Sequence, residues 1–530
     1  MRSWSVFDAF VYSFFSVNLV TLGLYIVSQM YALEGGLLPA LLLSAVIILA
    51  EVVVYAGLIA VMPRAGGDYV WQSRILGGPI GFVLAVTGWW FILWLWTPLY
   101  ADMLRHTVVV PLLVAAGARE AAAWAAWSPA AWYLACLLTI AYVGWIIAIG
   151  MKAYARVQRI CFWTGNIGLA AVCGLLLWAG PEGFRAGLEA NAVRLLASDP
   201  GVYEATLAAG KAAGAVQPLW GGGIEAIFLA MPYLVFFNLW PNWGATLYGE
   251  VKGADDFKRN FWGMALGLLV TTALAVVLFL VLDRTVGWEF YTHANAAYWS
   301  YRWDLTTTAP PLALWPYPAL LAVFTTQNQL LQFAVLLAMS AWFLGWAGTV
   351  FLSSTRAIFA AAFDRLLPEA VTRVDPRTRT PLGALALMVG PALVVSALFV
   401  WDVFGFRSLT LASTLVIAVT YLGSTVAAIL LPYIRKPMFE ASPIARYRVA
   451  GIPLITAAGV IFAGFLLYLL FQWLIDPHDL YGISYRNTAS ILFVLGLYAL
   501  AGAIYQSARI YRRKAEKLDI DLLYREIPVE

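Results

Sequence analysis

An all-α integral membrane bundle of twelve transmembrane helices is the fold class that the sequence predicts. Three observations carry the prediction. Of the 530 residues, 62% are hydrophobic and only 12% are charged, a composition outside the range of soluble domains. Apolar runs of the roughly 20 residues that a helix needs to cross a bilayer recur from one end of the chain to the other. Two of these runs, the first and the sixth, carry polar and helix-weakening residues near their middles.

The twelve runs are 7–31, 37–62, 79–103, 132–150, 160–180, 224–248, 261–282, 330–351, 382–400, 409–431, 452–475 and 487–505. They are long and uniformly apolar, without the alternation of barrel strands, so helices that satisfy their own backbone are expected. The first run lacks a signal-peptide cleavage site and is expected to stay as a helix. Lys and Arg concentrate in the segments that share a side with the N-terminus. Both termini, including the tail 506–530, are therefore expected in the cytoplasm. The net charge of +4 records this asymmetry and gives no ground for nucleic-acid binding.

Cys136, Cys161 and Cys173 fall inside or at the edge of runs and read as small buried side chains, with no disulfide or metal site suggested. His106, His293 and His478 lie at or beyond the outer boundary, and no cluster has metal-ligand spacing. A phosphate-binding Gly-rich loop is missing too, so no cofactor is expected beyond a coupling proton or sodium ion. A membrane enzyme ranks low, because the spans offer no nucleophile paired with a base.

Between the runs, two outer loops are long, 181–223 and 283–329. The first contains "EGFRAGLEANAVRLLA", whose helical spacing predicts an amphipathic helix; the second is rich in Trp and Tyr, which favour the lipid–water boundary. Either loop reads as a lid, as packing, or as a docking surface for a partner protein. The inner segments "PRAGGDYVWQSRILGGPIGF" (63–82) and "SSTRAIFAAAFDRLLPEAVTRVDPRTRTP" (353–381) predict short cytoplasmic helices packed on the bundle.

The sixth run continues into "FFNLWPNWGATLYGEVK", with Asn238, Pro241, Asn242 and Gly244 where a helix should be regular. Pro removes a backbone bond and clashes with the preceding turn. The first run, "YSFFSVNLVTLGLYIVS", places Ser16, Asn18, Thr21 and Gly23 at similar depth. Interruptions five runs apart point to two inverted repeats of five helices each, here 7–180 and 224–431, with 452–505 outside them. The twelve runs make one membrane domain spanning 1–530. Irregular backbone is tolerated at that depth only where it lines a cavity. Free amides there suit a carboxylate and free carbonyls suit an ammonium or metal cation, so a zwitterion fits both. A kink at Pro241 with Asn side chains bonding neighbouring helices is the structural alternative, and two matched interruptions favour the cavity.

With these motifs, and with "GEVKGADDFKRN" at Gly249, "STRAIFAAAFDRLLP" at Ser354 and "IDLLYREIPVE" at Ile520, the sequence resembles an amino acid permease of the amino acid, polyamine and organocation superfamily. The resemblance covers nearly the whole chain. It implies a LeuT-like 5+5 inverted repeat with discontinuous helices 1 and 6, in the cytoplasmic membrane of a prokaryote. It further implies a secondary active transporter for amino acids or related organic cations such as polyamines, working by alternating access as symporter or exchanger. The alternative is a transporter-like protein that serves as a nutrient sensor or membrane subunit.

The sequence departs from the family where substrate is read. Leu19, Val20 and Thr21 stand in place of the Gly, small residue, Gly run of helix one, and Asn242 stands where helix six has an acid. The expected substrate-binding set is Ser16, Asn18, Leu19, Val20, Thr21, Asn238, Leu239, Trp240 and Asn242, with Trp240 and Trp342 as gates. Gly165 and Asn166 replace the helix-five Lys of some proton-coupled relatives, so the candidates for ion coupling are Asn166, Thr349, Ser353 and Glu51. Glu51 is an acid within the second run, where ionisable residues are rare and functional by default; a structural hydrogen bond is the plainer role. The four Trp of run three, Trp89, Trp90, Trp94 and Trp96, read as packing.

Overall fold

The computed structural model describes residues 4–478 and 480–525; residues 526–530 of the expected tail lie outside them. Twelve helical segments are long and apolar enough to cross a membrane. In chain order they are span 1 (Val6–Val27), span 2 (Leu37–Val61), span 3 (Gly78–Ala115), span 4 (Pro129–Ala148), span 5 (Met151–Leu196) and span 6 (Ile224–Glu250). Then follow span 7 (Phe257–Thr285), span 8 (Gln329–Phe363), span 9 (Leu382–Val400), span 10 (Val403–Ile434), span 11 (Leu454–Ile475) and span 12 (Thr488–Ala515).

Spans 3 and 5 run well past their expected ends, for different reasons. In span 3 the charges that stop the apolar run neutralise one another. Asp102 pairs with Arg105 one turn on, and Arg302 of the helix Trp288–Arg302, between spans 7 and 8, approaches the same carboxylate at 3.9 Å. Span 5 breaks direction at Gly180, whose φ of 65° is open to glycine, and the amphipathic helix of the outer loop follows directly.

Packing partners are related by a shift of five. Span 1 lies on span 7 and span 6 on span 2, while spans 2 and 7 lie on each other. Span 5 packs on span 8 as span 10 does on span 3, and span 3 packs on span 4 as span 8 does on span 9. The segment after span 2 forms the short helix Asp68–Ile75, every residue of which is buried. Arg74 on it makes a bidentate pair with Asp364 beyond span 8, at 2.6 and 2.8 Å, and Tyr69 donates to the same carboxylate at 2.6 Å. The ring of Tyr524, in the turn Ile520–Arg525, covers the Arg74 guanidinium at 5.2 Å.

Candidate functional site

Span 1 is interrupted at Asn18, whose backbone is left-handed (φ 42°, ψ 89°), a conformation that Asn tolerates better than most side chains. The Asn18 side chain makes the turn self-sufficient. Its Oδ1 accepts from the Thr21 amide at 2.8 Å and its Nδ2 donates to the Trp342 carbonyl at 3.1 Å. Leu19–Gly23 is then wound as a π-helix, closed by Gly23 N–H donating to Asn18 O at 2.9 Å. In span 6 the α-helix ends at Asn238, Leu239 and Trp240 leave helical geometry (ψ 12° and 9°), and Pro241–Glu250 continues as a tighter 3-10 helix. A Cβ on Gly23 would lie 2.6 Å from the Phe237 ring. The two interruptions therefore pack directly on each other, and glycine is what permits the approach.

Beside them lies a cavity of about 190 Å³ walled by five spans. Span 1 and the turn after it contribute Ser16, Tyr25 and Gln29; span 3 Trp96 and Tyr100; span 6 Tyr233, Phe236, Trp240 and Trp243; span 8 Trp346 and Thr349; span 10 Thr414. Among the described residues that line it, none is charged. The wall is aromatic and braced: Trp240 meets Trp96 and Trp243 edge-on at 5.6 and 5.2 Å, and Tyr100 stacks on Trp346 at 3.7 Å. Polar groups are few, among them Ser16 of span 1 and Thr349 of span 8. Ser16 donates to Tyr12 O at 2.8 Å, and the Thr349 hydroxyl lies 3.5 Å from that of Tyr100.

Below the cavity, toward the end of the bundle that holds the N-terminus, the structure is closed. The Tyr12 and Ser353 hydroxyls bond at 3.0 Å, and Ser353 also donates to Trp243 O at 2.8 Å. Further down, Trp4 is paired through its backbone with Glu250 and Lys252 and through its indole with Met151 O. Two ion pairs finish the seal: Arg159 of span 5 holds Asp8 of span 1 at 2.6 and 2.9 Å, and Arg356 of span 8 holds Glu250 of span 6 at 2.8 Å.

Of the residues expected to bind substrate, gate it or couple an ion, Ser16, Trp240 and Thr349 line the cavity and the others do not. Asn18, Leu19, Val20 and Thr21 are fully buried, and the Thr21 amide, read as open to a substrate carboxylate, is taken by Asn18. Asn238 turns toward span 2, donating to Ser44 Oγ at 2.5 Å, and Leu239 is enclosed behind the turn. Asn242 accepts from Tyr421 of span 10 at 3.1 Å. Trp342 packs under the wall, its indole donating to Gly165 O at 2.9 Å, and Trp346 one turn on takes the lining position. Asn166 bonds its own helix at Phe162 O, and Ser353 belongs to the seal. Glu51 is buried away from the cavity with neither carboxylate oxygen bonded. Trp96, read as packing, is part of the wall. Tyr100, Trp243 and Trp346 were not singled out, and their four- and three-residue spacing from Trp96, Trp240 and Trp342 was the available signal.

A bundle of twelve membrane spans with a charge-free cavity beside two interrupted helices has the build of a small-molecule transporter. The family model for amino acid permease matches residues 5–496, and the chain belongs to that family, within the amino acid, polyamine and organocation superfamily. It is a multi-pass membrane protein and a transporter for amino acids, of a family of transporters and not of enzymes. No curated protein matches the chain.

Proposed function

We propose that this permease carries neutral amino acids with large apolar or aromatic side chains, and that the cavity between spans 1, 3, 6, 8 and 10 is its binding site. The observation that carries the reading is the lining itself, rich in aromatic rings and without a charged side chain. A dibasic or acidic substrate would leave a buried charge without a partner there, which costs several kcal/mol. A zwitterion needs only local dipoles for its two ends, and Ser16, Thr349 and the backbone beside the two interruptions supply them. Trp240, at the interruption of span 6 and against Trp96, acts as the moving wall.

The exchange of packing partners under a shift of five supports an inverted repeat, 7–180 against 224–431, and with it alternating access by rocking of one group of helices against the other. With both termini in the cytoplasm of a prokaryotic cell, the sealed end is the inner one and the cavity reaches toward the outside along Gln29, Met103 and Tyr233. Counterflow in proteoliposomes tests the reading: vesicles loaded with one unlabelled amino acid should accumulate labelled Leu, Phe or Trp, and Lys, Arg and Glu should compete weakly. Strong competition by the charged amino acids would reject the substrate class. Absence of counterflow with any amino acid, from folded protein, would favour a sensor or subunit instead.

A further inference from the structure

Glu51, on span 2, is 0% exposed and neither of its carboxylate oxygens has a hydrogen-bond partner. One turn along the same face is Tyr55, whose hydroxyl donates to Asp68 Oδ1 at 2.7 Å; Ser424 of span 10 donates to the same oxygen at 2.6 Å. Asp68 is itself 0% exposed and its Oδ2 is unbonded. Two carboxyl groups thus share one dry polar cluster. Among the described residues no Lys, Arg or His pairs with either. The ionisable groups that bear on them are Tyr55 and Tyr421. Span 3 brings Trp89 and span 6 brings Asn242, neither of them titratable; spans 7 and 11, packed on other sides of span 2, add no ionisable group to the cluster. Arg356 of span 8, which packs on the Asp68 helix, is held by Glu250, and Arg74 on that helix is held by Asp364.

Three further buried polar atoms on the residues around this cluster lack a completed bond. The Trp89 indole N–H approaches the Asp68 carboxyl, Asn242 Nδ2 is free while its Oδ1 accepts from Tyr421, and Gln72 Oε1 is free while its Nε2 holds Ser424 at 2.9 Å. Two uncompensated carboxylates in such a place cannot both be charged. Burial pushes the Asp68 carboxyl up to about 6, against the lowering effect of the Ser424 and Tyr55 hydroxyls.

We propose that Glu51 and Asp68 hold one exchangeable proton between them, in a site separate from the substrate cavity, and that its release accompanies movement at the inner end of the bundle. In the closed bundle both carboxyls are protonated and the pair is neutral; on release one carboxyl O–H gives its proton to the cytoplasm and becomes a carboxylate, the other keeps its proton, and the pair carries one negative charge. Asp68 is placed for this because it opens the short helix Asp68–Ile75, whose preceding turn is tied to span 6 by Gly66 N–H donating to Thr246 O at 2.9 Å. Span 10 holds the same carboxyl through Ser424. Separation of these elements as the inner end opens admits water, favours the carboxylate and lets the proton go. The proton site stands on this geometry alone; its coupling to transport rests on the transport reading above.

Infrared difference spectroscopy on the purified full-length protein, titrated between about pH 4 and pH 8, reads the carboxylic-acid C=O stretch directly. The wild type should show such a signal lost with a midpoint near 6, changed in both Glu51→Gln and Asp68→Asn. Should those variants fail to fold, Tyr55→Phe and Ser424→Ala each remove a bond that favours the carboxylate, and each should move the midpoint up by about one pH unit. A signal indifferent to all four substitutions overturns the site. A signal shifted by sodium at constant pH overturns it too, in favour of a metal cation. A titrating signal in a protein that moves no amino acid sustains the proton site and sinks only the transport reading.

Discussion

The Asp8–Arg159 pair is the most direct handle on the sealed end. Arg159→Gln removes two charge-assisted bonds, Nε to Oδ1 at 2.6 Å and Nη2 to Oδ2 at 2.9 Å. In a dry site such bonds would be worth about 1.5–3 kcal/mol each, but the Arg159 side chain is 50% exposed and keeps its water on one side. The net contribution is therefore about 1 kcal/mol. Asp8 keeps its capping bonds from Ser5 N and Ser5 Oγ at 2.8 and 2.7 Å, so span 1 keeps its start. If the pair forms only when this end is closed, its loss shifts the open population about fivefold. Ser353→Cys reports that population. Ser353 is 0% exposed behind the pair, and a thiol there, with Cys136, Cys161 and Cys173 replaced, reacts with a reagent only when the end opens. Arg159→Gln should raise its modification rate about fivefold. An unchanged rate would mean that the Asp8–Arg159 pair is surface decoration and that the seal lies with Tyr12, Trp4 and the Arg356–Glu250 pair.

Trp96→Ala removes the ring against which Trp240 rests edge-on at 5.6 Å and should raise the KM for uptake about tenfold; an unchanged KM would place the substrate elsewhere. Gly345→Ala should lower the melting temperature, because the new Cβ would sit 2.3 Å from the Phe15 ring, which is 0% exposed and has nowhere to go. The cost is about 1–3 kcal/mol, whereas Gly174→Ala, with nothing within 4 Å, should be neutral or slightly stabilising in the same melts. The stability contributed by Asp68 follows its raised carboxyl, from 3.8 to about 6. The folded protein binds the proton more tightly than the unfolded chain, so this contribution is complete below pH 3.8 and is lost as pH rises through about 6, in all about 3 kcal/mol. Melts of Asp68→Asn between pH 4 and pH 7 should accordingly vary less with pH than those of the wild type; parallel curves would refute it.

The membrane bundle was legible because apolar length is a direct physical requirement of the bilayer. Helix ends were less so. Asp102 and Arg105 interrupt hydropathy without interrupting a helix, since buried charges that pair need not leave it. The interruption in span 6 was visible in Pro241. The one in span 1 was visible in Asn18, read there as a substrate ligand, whereas in the structure its side chain caps its own turn. A buried Asn beside its own broken turn finds backbone partners within reach, and capping Thr21 N satisfies both groups without a ligand. Face selection was the other limit. Trp342 and Trp346 lie one turn apart on the same span, and hydrophobicity alone does not say which ring meets the cavity and which meets Gly165. Asn242 and Glu51 stood out as polar residues in apolar runs, yet only the structure shows them beside one network, with Asp68 supplied from a segment that read as a structural cytoplasmic helix.

The claim on which the account turns is that substrate sits beside the two interruptions. A cryo-EM map of the full chain, with the amino acid that counterflow identifies, tests it most directly. The account predicts density for a zwitterion in the cavity of span 1 and span 6, its charged ends near Ser16 and Thr349 and its side chain against Trp96, Trp240 and Trp346. Density at any other place, with this cavity unchanged at saturating amino acid, would contradict it.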